Sequence, residues 1–251
     1  MKTKITSLLA LASSIGLLSA ASISVNFVSD RDNGAELLPA ESAGAPGYAT
    51  TGWNNFLNIP AAGGGITETE ADIDTPNPGT LSDDSGSAVG TTITWSAVNS
   101  WNTNNLTANP DNKLMNGYID NNAGSPIIPI DITGVPYANY TVVAYFGSDG
   151  NGRTGTIGIS GGDTYSYSTN SAQAGGFPGA YAQTTDTGAG NPLANYAVWE
   201  NQTAADFTLT LTRGSSNSGV HGIQIIETVV PEPGSSLLLG LAGLLLLRRK
   251  R

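Results

Sequence analysis

The chain contains no cysteine, so it can be held by no disulfide and can carry no thiol nucleophile. It has a single histidine, His221, in the run GVHGIQIIE, where it shares a side with Ile223 and Ile225. A lone histidine on a strand is more often packed than catalytic. No Gly-x-Ser-x-Gly elbow is present. Cations are as scarce. Between the two ends of the chain only Arg31, Lys113, Arg153 and Arg213 stand against nineteen of the twenty carboxylates, which leaves that part at about −15. Neutralising phosphates takes clustered Lys and Arg, so nucleic acid is excluded as a partner. An acidic surface suits solubility outside a cell and attracts divalent cations. Lys, Glu and Leu are few in this part, and no stretch of it repeats every 3.6 residues, which disfavours helix.

What is present is alternation. Asp206 to Arg213 (DFTLTLTR) sets Phe207, Leu209 and Leu211 against Thr208, Thr210 and Thr212, the period of a half-buried strand. Ser22 to Val28 and Thr91 to Val98 alternate in the same way, and Asn139 to Gly147 (NYTVVAYFG) is apolar on both faces, as a central, well-covered strand would be. Thr154 to Ser160, Asp163 to Ser168, Asn195 to Glu200 and Gly219 to Glu227 bring the set to eight or nine, and Gly161-Gly162 reads as a hairpin turn. The expectation is an all-β domain over residues 22–228. It would be a single antiparallel β-sandwich, jelly-roll-like rather than a small barrel. Long polar loops are expected at Arg31 to Pro60, Gly63 to Ser87, Asn99 to Ser125 and Asn170 to Pro192, gathered as a working edge, with Gly63 to Gly86 the least suited to packing.

Two tryptophans lie in asparagine-rich loops, Trp53 in GWNNF and Trp101 in SWNTNN. Such rings can stack on a sugar while Asn54, Asn55, Asn102 or Asn104 hydrogen-bond its hydroxyls, or they can plug the sandwich beneath their loops. Trp95 and Trp199 lean towards the core. Asp149-Gly150-Asn151-Gly152 and Asp83-Asp84-Ser85-Gly86 offer oxygen ligands on turns that glycine permits, which makes structural calcium a candidate without a named ligand set. No other cofactor is implied. Arg153 and Arg213 read as ion-pair partners. A glycosidase would need two carboxylates at a set separation, which nineteen acids allow and no motif selects.

The two ends speak for export. Residues 1–21 (MKTKITSLLALASSIGLLSAA) run from Lys2 and Lys4 through an apolar stretch to Ser19, Ala20 and Ala21, the form of a secretory signal peptide cut between Ala21 and Ser22. Residues 229–251 (VVPEPGSSLLLGLAGLLLLRRKR) begin with Pro231-Glu232-Pro233. Uncharged residues 235–247 follow, and Arg248, Arg249, Lys250 and Arg251 close the run. Thirteen helical residues reach roughly 20 Å against a hydrocarbon core of about 30 Å. A short membrane helix at 235–247 therefore needs flanking residues, snorkelling or a thinned bilayer, and the terminal cations would hold it from the cytoplasmic side.

This terminal run resembles the PEP-CTERM sorting signal of bacterial surface proteins. Pro231, Glu232 and Pro233 match the tripeptide, residues 235–247 the apolar segment and Arg248 to Arg251 the basic end. The resemblance implies recognition by an exosortase-type membrane enzyme, cutting near the tripeptide, and release to the cell surface or extracellular matrix, often alongside exopolysaccharide. It covers only this end. The body also looks loosely like carbohydrate-binding jelly rolls in its strand count and its closing strand, Gly222 to Glu227. The reading is thus an exported, surface-sorted, non-catalytic β-sandwich protein, structural or adhesive and a candidate carbohydrate binder. A secreted polysaccharide-active enzyme is the alternative, and retention in the membrane by an uncut C-terminus a third outcome.

Overall fold

The computed structural model describes residues 20–29, 36–59, 66–69, 81–97, 99–103, 109–120, 124–171, 177–214 and 217–229. Most of the leader, and the whole of the tripeptide, the expected membrane helix 235–247 and the basic tail, lie outside them. Among the described residues no helix is long and apolar enough to cross a membrane.

Ala21–Val230 form one compact unit, and its regular structure among the described residues is all strand apart from one short helix. In chain order these are β1 (Ser22–Ser29), β2 (Asn54–Ile59), β3 (Ile66–Thr69), β4 (Thr92–Ala97) and β5 (Asn99–Asn102). A single helical turn, α1 (Pro110–Leu114), precedes β6 (Gly117–Asp120), β7 (Ile127–Thr133), β8 (Tyr140–Gly147) and β9 (Thr154–Ile159). The chain continues with β10 (Thr164–Thr169), β11 (Leu193–Ala194), β12 (Tyr196–Gln202), β13 (Phe207–Arg213) and β14 (Gly219–Glu227). They make two sheets. The first runs β12-β8-β14-β1-β2, with β6 also on β14 and β5 on β6; the second runs β11-β10-β9-β13-β7-β4-β3. From β7 onward the chain crosses repeatedly between sheets: β8 is in the first, β9 and β10 in the second, β12 in the first, β13 in the second and β14 in the first.

The inward faces meet in one core. Phe146 of β8 lies 4.3 Å from Tyr167 of β10, ring centre to ring centre, and Tyr140 lies 6.0 Å from Phe207. At the other end Trp95 stands edge-on to Phe27 and Phe56, at 5.1 and 4.6 Å. Each of these pairs joins the two sheets, so the assembly is a β-sandwich. The alternation in DFTLTLTR is realised, with Phe207, Leu209 and Leu211 all in this core. Gly161-Gly162 turns β9 into β10 as expected, with Gly161 at φ 79° and the Gly162 amide bonded to the Ile159 carbonyl.

Among the described residues the strands pair antiparallel apart from β1 with β2 and β10 with β11, and one isolated bridge, Gln183↔Tyr196, is also parallel. The stretches expected to be loops also hold structure: β2, β3, β5, β6 and α1 all fall within them. Gly63 to Gly86, expected to pack least, supplies β3, which pairs with β4 from Ile66↔Ala97 to Thr69↔Thr94. β7 is a further addition, and its Pro129 hid it. On the β13 side Pro129 sits opposite Thr210, while the β4 pairing ends at Trp95↔Ile130, so the proline occupies a stretch with only one neighbour.

The described parts of the loops do not form a free edge. They cover the outer face of the first sheet. β8 explains why: Val142, Ala144 and Phe146 point into the main core, while Val143 and Tyr145 point outward and are equally buried. Leu37, Ala43, Ala45, Trp53, Leu114, Met115 and Phe177 lie over them as a second hydrophobic layer. A polar knot fixes this layer. The Ala45 amide donates to the Tyr145 hydroxyl (2.9 Å), which donates to Gln224 Oε1 (2.5 Å), and Gln224 Nε2 donates to the Tyr48 carbonyl (3.0 Å). Asp111 of α1 ties two loops at once, accepting from the Gly44 amide (3.0 Å) and the Tyr181 hydroxyl (2.9 Å). Gly44 is required here, at φ 127° and with the Tyr145 oxygen 2.9 Å from where a Cβ would sit.

Tyr145→Phe should therefore cost about 1–3 kcal/mol, because it strips a partner from a buried amide and from a buried amide oxygen. Melting temperature and hydrogen exchange at Ala45 measure it; unchanged exchange there would show that the knot does not hold the layer.

Candidate functional site

Trp53 and Trp101 are not brought together as a platform. Trp53 is 5% exposed, sits 6.1 Å from the Tyr145 ring and donates Nε1 to the Thr50 carbonyl (3.1 Å). Its ring is a plug in the covering layer, with no free face for a sugar. The amides beside it are spent on the fold: Asn54 holds Ser24 and Ser82, and Asn55 holds Leu37 and Asn26. Trp101 lies half-buried on β5 opposite Tyr118, Asn102 is buried, and Asn104 lies outside the described residues.

The two candidate calcium turns are also occupied internally. Asp83 Oδ1 accepts from the Ser85 and Ser87 amides and the Ser85 hydroxyl. Partial burial raises its pKa, but these bonds outweigh that and hold it below the usual carboxylate range. Asp84 accepts from the Ser22 amide. Asp149 pairs with Arg153 at 2.6 Å, and Arg153 also donates to the Asn217 carbonyl (2.9 Å). Among the described residues no three of His, Asp and Glu gather in a way that could hold a metal ion.

His221 is 1% exposed, bonded through Nδ1 to the Gly117 carbonyl (2.7 Å) and edge-on to Tyr118 at 5.1 Å. Burial lowers its pKa to about 4, only partly offset by the Gly117 bond. It is a neutral packing residue.

The sandwich carries a different concavity, at the side where β12 edges the first sheet and the β9–β10 hairpin reaches across from the second. It is a cleft of about 630 Å³. Its walls carry Asp163, Tyr165, Gln183, Trp199, Glu200 and Gln202, with the Gly161-Gly162 turn at one end. Trp199 anchors the floor. It is 3% exposed, its Nε1 donates to the Asp163 carbonyl (2.8 Å), and the half-buried Tyr165 ring lies over it at 5.5 Å and 31°. Gly162 has to be glycine, because a Cβ would stand 2.7 Å from Ile159 and 3.1 Å from Trp199.

The cleft's other wall is shaped by a β-bulge. Trp199 pairs with Val142 but Gln202 with Tyr140, so one extra residue is inserted, and Asn201 takes the left-handed conformation at φ 58°. Glu200 and Gln202 line the cleft beside the inward Trp199, and the extra residue sets Gln202, opposite Tyr140, on the face of Trp199. The sequence places Trp199 in the core, and it singles out neither the cleft nor the other residues that line it. The one local signal is the end of alternation after NYAVW, where Glu200, Asn201 and Gln202 succeed one another without an apolar residue.

No family model matches the chain, and no curated protein matches it significantly.

Below about pH 6.5 an unfolded His221 takes up a proton that the folded one refuses until about pH 4. Stability should therefore fall as pH drops through that window, by about 3 kcal/mol in total. His221→Asn, which keeps a donor for Gly117, should flatten the slope of melting temperature between pH 6.5 and 4.5. An unchanged slope would show that the histidine is not buried neutral.

Proposed function

We propose that this is an exported, surface-sorted β-sandwich protein of the bacterial envelope or extracellular matrix, with a structural or adhesive rather than catalytic role. Its leader would be cut between Ala21 and Ser22, and its C-terminal segment, Pro231-Glu232-Pro233 with the apolar run and Arg248 to Arg251, would be read by an exosortase-type enzyme. The body we read as a jelly roll: β12-β8-β14-β1 against β10-β9-β13-β7 has the alternating strand order of that fold.

The observation that supports this most directly is where the folded body begins. β1 starts at Ser22, paired antiparallel with the end of β14 at Ser22↔Ile226, so the body starts and finishes at the borders of the two address segments. The Ser22 amide donates to Asp84 Oδ1 (3.0 Å), the Asp84 amide donates back to the Ser22 carbonyl (2.8 Å), and Ser22 Oγ meets Thr50 Oγ1 (3.2 Å). Cutting before Ser22 turns that amide into an ammonium already facing a carboxylate, so the new terminus gains a charge-assisted bond in place of a neutral one.

The enzyme reading keeps one supporting observation, the two carboxylates Asp163 and Glu200 on a single cleft. Release of reducing ends from polysaccharide by the purified protein would favour it.

Replacing Pro231-Glu232-Pro233 with three alanines should leave the protein in the membrane fraction; unchanged release rejects the sorting reading. Asp84→Asn should lower the stability of the cut protein by roughly 1–2 kcal/mol more than that of the same chain made without export and with its leader intact. Equal losses in the two forms would show that Asp84 does not hold a charged terminus.

A further inference from the structure

We propose that the cleft between the β9–β10 turn and β12 binds an uncharged glycan and turns away acidic ones. This deepens the adhesive reading above and rests on it only for the extracellular setting.

The size is right. About 630 Å³ falls within the roughly 300–1,000 Å³ of small-ligand sites and would take a few sugar residues of a longer chain. The composition is that of a polyol site. Tyr165 supplies a partly exposed aromatic surface backed by buried Trp199, so the ring is held by packing before any ligand arrives. Gln183 and Gln202 each offer both donors and acceptors, and the carboxylates of Asp163 and Glu200 accept strongly from hydroxyls. Gly161 and Gly162 keep the turn free of side chains at the cleft's end.

The charge decides the class. Among the described residues two carboxylates line the cleft and no Lys or Arg does. Lys113 is engaged by Glu41 at 2.8 Å and Arg153 by Asp149, each within its own ion pair. A uronate or sulfated sugar would bring like charge against Asp163 and Glu200 with nothing to compensate it. A neutral hexose meets only hydrogen-bond acceptors, amides and an aromatic ring.

A bulge shapes the strand that walls the cleft. It sits in β12, an edge strand, with Asn201 in the left-handed conformation that asparagine tolerates better than most side chains. Its extra residue returns Gln202, opposite Tyr140, to the face of Trp199, and both Glu200 and Gln202 line the cleft.

The test uses the full chain in mild detergent, run in native gels containing laminarin, galactomannan, xyloglucan or alginate, with the mobility in a gel free of polysaccharide as reference. At least one neutral polysaccharide should retard the protein and alginate should not. Tyr165→Ala should weaken that retardation at least tenfold, and Tyr165→Phe, which keeps the ring, should change it less than threefold. Glu200→Gln should weaken it several-fold. A thermal melt and Trp fluorescence check that each variant remains folded; if Tyr165→Ala does not, Glu200→Gln and Gln202→Ala on the surface of the cleft decide alone. The proposal is overturned if no neutral polysaccharide retards the protein, if alginate does so as strongly, if the cleft variants bind like the parent, or if reducing ends are released. None of these results bears on fractionation of the alanine-substituted tripeptide, so failure of the glycan site and failure of the sorting reading are told apart.

Discussion

Everything in this body depends on the first sheet being buried on both faces. A sandwich needs only its inward faces covered, and the second sheet meets that requirement with outward threonines such as Thr208, Thr210 and Thr212. The first sheet cannot, because Val143, Tyr145 and Val198 are apolar or aromatic on the outward side. The chain must bring a second layer, and it does so with loops rather than helices. Loops carry unpaired backbone polar groups, which explains why the covering layer is pinned by side-chain bonds to backbone, through Tyr145, Gln224, Asn54, Asn55 and Asp111. The richness in asparagine that resembles a sugar-binding signature is explained by this need.

That also marks the limit of what the sequence discloses. Strands with one wet face, such as β13, are legible because two-residue periodicity is local, and β8 is legible for the opposite reason, being apolar on both faces. β7 is not, since Pro129 argues against a central strand unless one knows that β4 has already left its side. β2 and the covering loops are invisible for a different reason. Nothing within GWNNF says whether Trp53 faces water or Tyr145, which lies ninety-two residues further on. The choice between platform and plug is settled by a long-range contact.

The acidic balance is distributed according to the same logic. The cations Lys113 and Arg153 are each bound within the fold, one joining α1 to the 36–53 loop and the other tying the β8–β9 turn to the Asn217 backbone. The carboxylates that shape turns, Asp83 and Asp186, are held ionised by hydrogen bonds from neighbouring backbone and hydroxyls despite what burial takes from Asp83. These charges among the described residues serve the fold.

The cleft follows from the way the sandwich ends at one side. An edge strand exposes unpaired backbone and invites pairing with another chain, and natural sheets blunt such edges with bulges and charge. β12 does both at Glu200–Asn201. On the opposite sheet β10 is covered by the short parallel β11, and its hairpin tip is drawn toward Trp199 by the bond from the indole to Asp163. The two devices that protect the edges leave a gap between them, floored by aromatics because the core runs out to that point and rimmed by polar groups because the edge must stay in water. A concave, aromatic-floored, acceptor-rich surface is thus a by-product of closing this side of the fold, and one that a protein working among polysaccharides could adapt with few changes.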